Sequence, residues 1–421
     1  MDKFVIKGGK KLSGSVDISG AKNSSLALMP ATLLNAGINI IENTPRVNDI
    51  FTMIKLLSHI GVKTEFENHK LTLDTTEITS QDAPYEHVKK MRASIYVLGP
   101  LLARYGFARV SLPGGCAWGP RPVNLHLEAL QKMGAKITND AGYIVAKAKK
   151  LHGTKIHFDI SSVGATGNIL MAATLAKGTS EITNAAVEPE IVQLSEFLVS
   201  MGAKIDGIGT NTLLIEGVDE LKPSSITNIP DRIEAGTILI AGAITKSKIQ
   251  IKNVIPNHLS AIIDKLSKAG AKLEIFDDSI KIDAKGLYPE SVDVSTAIYP
   301  GFPTDMQAQW IALMALAKDT ATVTDTIYLD RFKHIPELAR LGADIELRGN
   351  SAIVRGVKKF TGATVMSTDL RASASLVLAG LVAHGTTEVL RVYHLDRGYQ
   401  LIDEKLNELG ADILRVSGTE F

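Results

Sequence analysis

Apolar positions along the 421-residue chain fall into two alternating helical patterns, and both recur. In the first, apolar residues spaced for one helix face stop at a glycine, followed by a small residue, a polar residue and an alternating run. It reads LLSHIGVKTEF at 56–66, LQKMGAKI at 130–137, LVSMGAKI at 198–205, LSKAGAKLEI at 266–275, LARLGADIEL at 338–347 and LNELGADI at 406–413. Glycine just past a helix favours left-handed termination, and a period of two marks a strand. The six glycines (61, 134, 202, 270, 342 and 410) are 73, 68, 68, 72 and 68 residues apart, so the chain is read as six copies of one helix–strand unit.

The second pattern is apolar nearly all round and rich in Ala, Ser, Thr and Leu. It occupies 21–34, 91–106, 163–178, 231–247, 302–319 and 369–385. Helices of this kind are enclosed by other structure. Several carry a charge only near the start: Lys22, Arg92, Arg232, Asp305 and Arg371. Basic residues oppose the helix dipole there, and a bound anion touching the same helix ends is one reason for them. Each taken singly is equally consistent with a solvated helix end. Between the two helices of each unit comes a strand and a loop. The units group three and three, with a polar, proline-containing connection at 218–230. Two similar α/β domains follow, each with three short sheets around enclosed helices, facing each other across a cleft.

Composition narrows the class. Hydrophobic residues at 45% and charged residues at 22% suit a globular protein. Lys plus Arg (46) nearly balances Asp plus Glu (45), so net charge makes no case for nucleic acid or an anionic membrane. Aromatic residues at 5% do not interleave with a basic stripe. There is no apolar run for a signal peptide or a membrane span, so a cytoplasmic location is expected. The single cysteine excludes an intramolecular disulfide framework, and ten histidines show no metal-ligand spacing. Neither a P-loop, a dinucleotide fingerprint, a zincin motif nor a nucleophile elbow is present, and no cofactor or metal is expected.

That cysteine, Cys116, lies in Pro113-Gly-Gly-Cys116-Ala-Trp-Gly-Pro-Arg121-Pro122, which holds three glycines and three prolines in ten positions. Such a segment fits neither a strand nor a helix interior. An exposed loop is predicted, between a strand at 108–112 and a helix at 125–133. A lone cysteine is commonly a small buried hydrophobe. Here the loop composition and the neighbouring Arg121 and His126 argue for a reactive thiol, because cations lower a thiol's pKa. Nucleophile, general acid and redox sensor all remain open on these grounds.

The motifs PGGCAWGPRPVNLH (113–126), SGAKNSSLAL (19–28), MRAS (91–94), SVGAT (162–166), GFPTDMQAQ (301–309), DLRAS (369–373) and YHLDRGY (393–399) resemble the enolpyruvyl transferase family, in its UDP-sugar branch. The resemblance spans essentially the whole chain. It implies a two-domain inside-out α/β barrel with three repeats of about 70 residues per domain, residues 22–229 forming the first and 1–21 with 230–421 the second. It also implies transfer of the enolpyruvyl group of phosphoenolpyruvate to the 3-hydroxyl of UDP-N-acetylglucosamine, with phosphate release and no cofactor, as the first committed step of peptidoglycan precursor synthesis. The route is addition–elimination through a tetrahedral intermediate.

By the same resemblance Cys116 protonates the methylene carbon, is the residue fosfomycin alkylates, and can carry a pyruvyl or phospholactoyl adduct. Asp305 acts as general base, with Lys22 and Arg397 also catalytic. Lys22, Asn23, Arg121, Arg371 and Arg397 would hold phosphoenolpyruvate. The nucleotide sugar would meet Arg92, Arg121, Pro122, Val123, Asn124, Leu125, Ser162, Val163, Gly164, Asp305 and Ile327. Three positions depart from the family pattern: Trp118, Asn124 and Ile160. The rivals are enolpyruvyl transfer to shikimate 3-phosphate, opposed by the cysteine loop and RPVNLH, and a non-catalytic repeat scaffold, which would need no such charged constellation.

Overall fold

The computed structural model describes residues 2–89, 91–112, 123–329 and 331–417. The chain divides into two compact units, Gly20–Ile229 and Met1–Ser19 with Pro230–Phe421. The chain thus passes between units at 19/20, two residues before the expected 21/22, and again at 229/230.

Each unit contains three four-stranded sheets with one plan: an edge strand parallel to its neighbour, then two antiparallel pairings. No sheet among the described residues closes on itself, so the barrel of the expected fold is three separate sheets, with helices inside. In three sheets one strand comes from a distant part of the sequence. Ser225–Thr227, inside the stretch read as a connection, runs parallel to Ile38–Glu42. Ser13–Asp17 does the same beside Lys248–Lys252. Lys3–Lys7 pairs antiparallel with both Thr386–Leu390 and Ile413–Val416. These last two pairings build the N-terminal residues into the unit that carries the C-terminal half.

The six recurring glycines all lie in the left-handed region, at φ between 95° and 115°. Each follows a helix and precedes a strand, as in Pro189–Ser200, Gly202 and Lys204–Asp206. A side chain at Gly202 would meet nothing within 4 Å, so backbone conformation alone penalises substitution. Gly202→Ala is therefore expected to cost about 1–2 kcal/mol and to lower the Tm by a few degrees with activity unchanged, as thermal denaturation will show.

The second set of helices forms the interior, each unit around its own core. Every residue of Gln307–Met314 is buried, and Arg232–Ile244 and Leu370–Val382 are nearly so. These three pack on one another. In the other unit Leu98–Tyr105 packs on Val163–Ala173, and Lys22–Ala31 on Pro189–Ser200. Small residues permit close approach: a Cβ at Gly99 would lie 2.4 Å from the Asn168 carbonyl oxygen. Among the described residues no helix is long and apolar enough to cross a membrane.

Candidate active site

The charges noted near helix starts occupy helix starts. Lys22 and Arg232 are first residues of their helices, Arg92 opens the 3-10 turn Arg92–Val97, and Arg371 is the second residue of Leu370–Val382. Asp305 lies in the 3-10 turn Thr304–Met306, immediately before Gln307–Met314. They are not simply solvated ends: Lys22 is 8% exposed and Arg371 1%.

In the unit Gly20–Ile229, Lys22 Nζ lies 3.4 Å from Asp49 Oδ2, which partly offsets its charge against the helix dipole. Asn23 follows it, half-buried. Three of the expected nucleotide-sugar segments meet around His126, a residue of the helix Asn124–Lys132. Its Nδ1 accepts from Asn168 Nδ2 at 3.0 Å, while Asn168 also donates to the Ile95 carbonyl and accepts from Gly99 N–H. These contacts fix the amide and leave the imidazole proton on Nε2. The ring would lie 3.3 Å from a Cβ at Gly164, so glycine is what admits it there. Burial, aided by the Arg92 charge, pushes His126 down to about 4.

His126 is therefore neutral at pH 7. It cannot serve as the cationic neighbour of the thiol that the sequence suggested. Ser162 caps Val163–Ala173 by accepting from Ala165 N–H at 3.3 Å, and Tyr96 donates to the Val163 carbonyl at 3.2 Å. Val123 and Leu125 are half-buried and Asn124 is exposed, its Nδ2 3.4 Å from Glu128. Ile160 is 71% exposed. Cys116, Trp118, Arg121 and Pro122, with the rest of 113–122, lie outside the described residues.

In the unit containing Pro230–Phe421, Asp305 is braced between two guanidinium groups. Arg331 Nη1 is 2.7 Å from Oδ1, and Arg371 Nη2 is 3.1 Å from Oδ2. Arg371 lies over the Tyr399 ring, 5.1 Å from its centroid, and its buried Nε and Nη1 meet no acceptor in hydrogen-bond geometry among the described residues. Tyr399 is held at its hydroxyl by Thr237 (3.0 Å) and Gln309 (3.1 Å). Gln309 also donates to the Asp305 carbonyl. Arg397 ends the 3-10 segment Val392–Arg397, where burial first, then the Arg397 and Arg391 charges, depress His394 to about 4. Ile327 is 44% exposed, just after the buried Asp325.

Sequence reading missed Arg331, Tyr399, Thr304 and Asp325. Arg331 had a signal: Leu-Asp-Arg occurs at 329–331 and again at 395–397, in matching loops of successive repeats. Superposing the repeats would have flagged it with Arg397.

A family model described as EPSP synthase (3-phosphoshikimate 1-carboxyvinyltransferase) matches residues 6–406. Curated relatives narrow the branch. A UDP-N-acetylglucosamine 1-carboxyvinyltransferase from Chloroherpeton thalassium is 58% identical, with 100% of this chain and 99% of the relative covered. One of the same name from Chlorobium luteolum is 55% identical with both chains fully covered. The chain belongs to the UDP-N-acetylglucosamine 1-carboxyvinyltransferase family. Among solved structures it is similar to the enolpyruvyl transferase NikO from Streptomyces tendae, with a TM-score of 0.90, 25% identity and 99% of each chain covered. An EPSP synthase from Acinetobacter baumannii has a TM-score of 0.75 at 19% identity, covering 99% of this chain and 100% of that one, which shows the shared fold.

Proposed function

We propose that this protein transfers the enolpyruvyl group of phosphoenolpyruvate to the 3-hydroxyl of UDP-N-acetylglucosamine, releasing phosphate. The observation that carries this reading is the Asp305 carboxylate, held by Arg331 and Arg371 while two buried Arg371 nitrogens, Nε and Nη1, meet no acceptor in hydrogen-bond geometry among the described residues. Unpaired buried donors are costly, and an anion with several oxygens would satisfy them. The two substrates between them carry three phosphates and a carboxylate. As phosphoenolpyruvate engages the guanidinium groups, it loosens their hold on Asp305, leaving that carboxylate free to accept a proton.

The steps then follow. Cys116 gives its thiol proton to the methylene carbon as the sugar oxygen bonds to the adjacent carbon. Asp305 accepts the hydroxyl proton. The Cys116 thiolate then takes a proton back from the new methyl group as phosphate leaves with the proton held by Asp305, which restores the double bond and both side chains. Lys22, Asn23, Arg121, Arg371 and Arg397 hold phosphoenolpyruvate, and Arg331 joins them. Arg92, Arg121 to Leu125, Ser162 to Gly164, Asp305 and Ile327 hold the nucleotide sugar. His126, packed against Gly164, braces the glycine end of that set. The substrates are small molecules, the reaction needs no redox cofactor, and we place it in the cytoplasm.

The test is phosphate release by the purified protein from phosphoenolpyruvate with UDP-N-acetylglucosamine and, separately, with shikimate 3-phosphate. Release with the nucleotide sugar alone is expected. Release with shikimate 3-phosphate alone would keep the chemistry and overturn the acceptor. Silence with both would overturn the reaction.

A further inference from the structure

Asp325 has no exposed surface, yet its carboxylate is used to capacity. Oδ1 accepts from Thr296 Oγ1 at 2.8 Å, Ile327 N–H at 3.0 Å and Tyr328 N–H at 2.8 Å. Oδ2 accepts from Thr304 Oγ1 at 2.7 Å. The residue is itself fixed through its backbone, which donates to the Asn350 carbonyl and accepts from Asn350 Nδ2. It follows directly on the strand Thr320–Thr324.

Thr304 links this buried carboxylate to the arginine beside Asp305. Its hydroxyl has one proton, and that proton goes to Asp325. The oxygen's lone pair is then turned to Arg331 Nη1, which donates to it at 3.0 Å. The same Nη1 is 2.7 Å from Asp305 Oδ1. We propose that Asp325 is a positioning residue for the transfer reaction: through Thr304 it fixes Arg331 and hence Asp305, while its other oxygen separately shapes the segment bearing Ile327. This rests on the reading of Asp305 as the base.

Asparagine at 325 separates the two duties. Three donors converge on Oδ1, so the amide oxygen takes that place and the NH₂ group faces Thr304. The hydroxyl then accepts from the amide and its proton loses the carboxylate that held it, so nothing fixes the lone pair turned to Arg331. The loop contacts survive while the link to Arg331 fails. Thr304→Val breaks the same link from the middle, and Thr304→Ser restores it.

Steady-state phosphate release with phosphoenolpyruvate and UDP-N-acetylglucosamine tests this. Asp325→Asn and Thr304→Val are each expected to lower kcat about tenfold, since a small misplacement of a catalytic group is enough for that. KM for the nucleotide sugar should stay within about twofold. The double variant should be no worse than either single one, because both cut one chain, and Thr304→Ser should keep most of kcat. An unchanged kcat in Thr304→Val, a loss confined to KM, or additive losses would each overturn the proposal. Should Asp325→Asn not fold, the Thr304 pair decides alone. Asp305→Asn distinguishes the two levels: if it is inactive while Thr304→Val is normal, only the Asp325 assignment falls, and if it is fully active, the base assignment falls as well.

Discussion

Asp305→Asn is expected to reduce phosphate release by about 10²- to 10⁴-fold, the range a positioned general base contributes. An amide at this site cannot take the hydroxyl proton. It also turns an NH₂ group toward one of the two guanidinium groups that now touch the carboxylate at 2.7 and 3.1 Å. Arg371 is 1% exposed, so its charge would lose the partner that makes its burial tolerable. Breaking a buried pair costs about 3–5 kcal/mol. The Asp305 side chain is 25% exposed, and water there reduces that figure. A modest fall in Tm should therefore accompany the much larger loss of activity. Asp305→Glu keeps the charge and shifts the carboxylate by one methylene, so it should recover stability more than rate. A folded Asp305→Asn protein retaining a tenth of wild-type turnover would remove Asp305 from the role of base.

The frame of this molecule could be read from the chain because its signals are local. A left-handed glycine after a helix depends on the residues beside it, and Gly61, Gly134, Gly202, Gly270, Gly342 and Gly410 all take that conformation. Helices apolar on every side have nowhere to go but inside, which placed Arg232–Ile244 and its relatives. What escaped the sequence depends on pairing across long separations. Nothing in Ser225–Thr227 announces that it pairs with Ile38–Glu42, because three polar-flanked residues read as a connection.

The candidate site divides in the same way. Lys22, Arg92, Asp305 and Arg371 were visible as charges where apolar helices begin. Tyr399 and Asp325 were not, because each acts through partners far away in the sequence: Tyr399 through Thr237 and Gln309, Asp325 through Thr296 and Thr304. His126 was noticed for its charge and matters for the lack of it. Burial, which spacing does not report, reverses its expected role.

Acidification from pH 7 to pH 5 should destabilise the protein through histidines buried in the neutral form. Burial, with the Arg92 charge, lowers His126 to about 4, and burial, with the Arg331 charge, lowers His334 to about 3. Unfolded, both would titrate near 6.5. Their folded values are depressed, so the stability they contribute is complete above about 6.5 and is lost as pH falls toward the folded values. At pH 5 each has lost about 2 kcal/mol, from roughly 1.5 pH units at 1.36 kcal/mol per unit. Opposing them, burial raises Asp325, Asp369 and Glu234, which bind protons more readily folded than unfolded and so regain stability as pH falls. Carboxyl groups start from about 4 rather than 6.5, so the histidines govern the upper part of the window. Tm measured between pH 7 and 5 should fall in the wild type and fall less in a His126→Gln/His334→Gln variant. Equal slopes would show that other groups carry the acid response. Arg92 contributes to the depression of His126, so an anion bound at Arg92 should weaken that depression. Saturating UDP-N-acetylglucosamine is therefore expected to flatten the wild-type slope as well as raise the Tm, whereas mass action alone would raise it at every pH where the ligand binds equally.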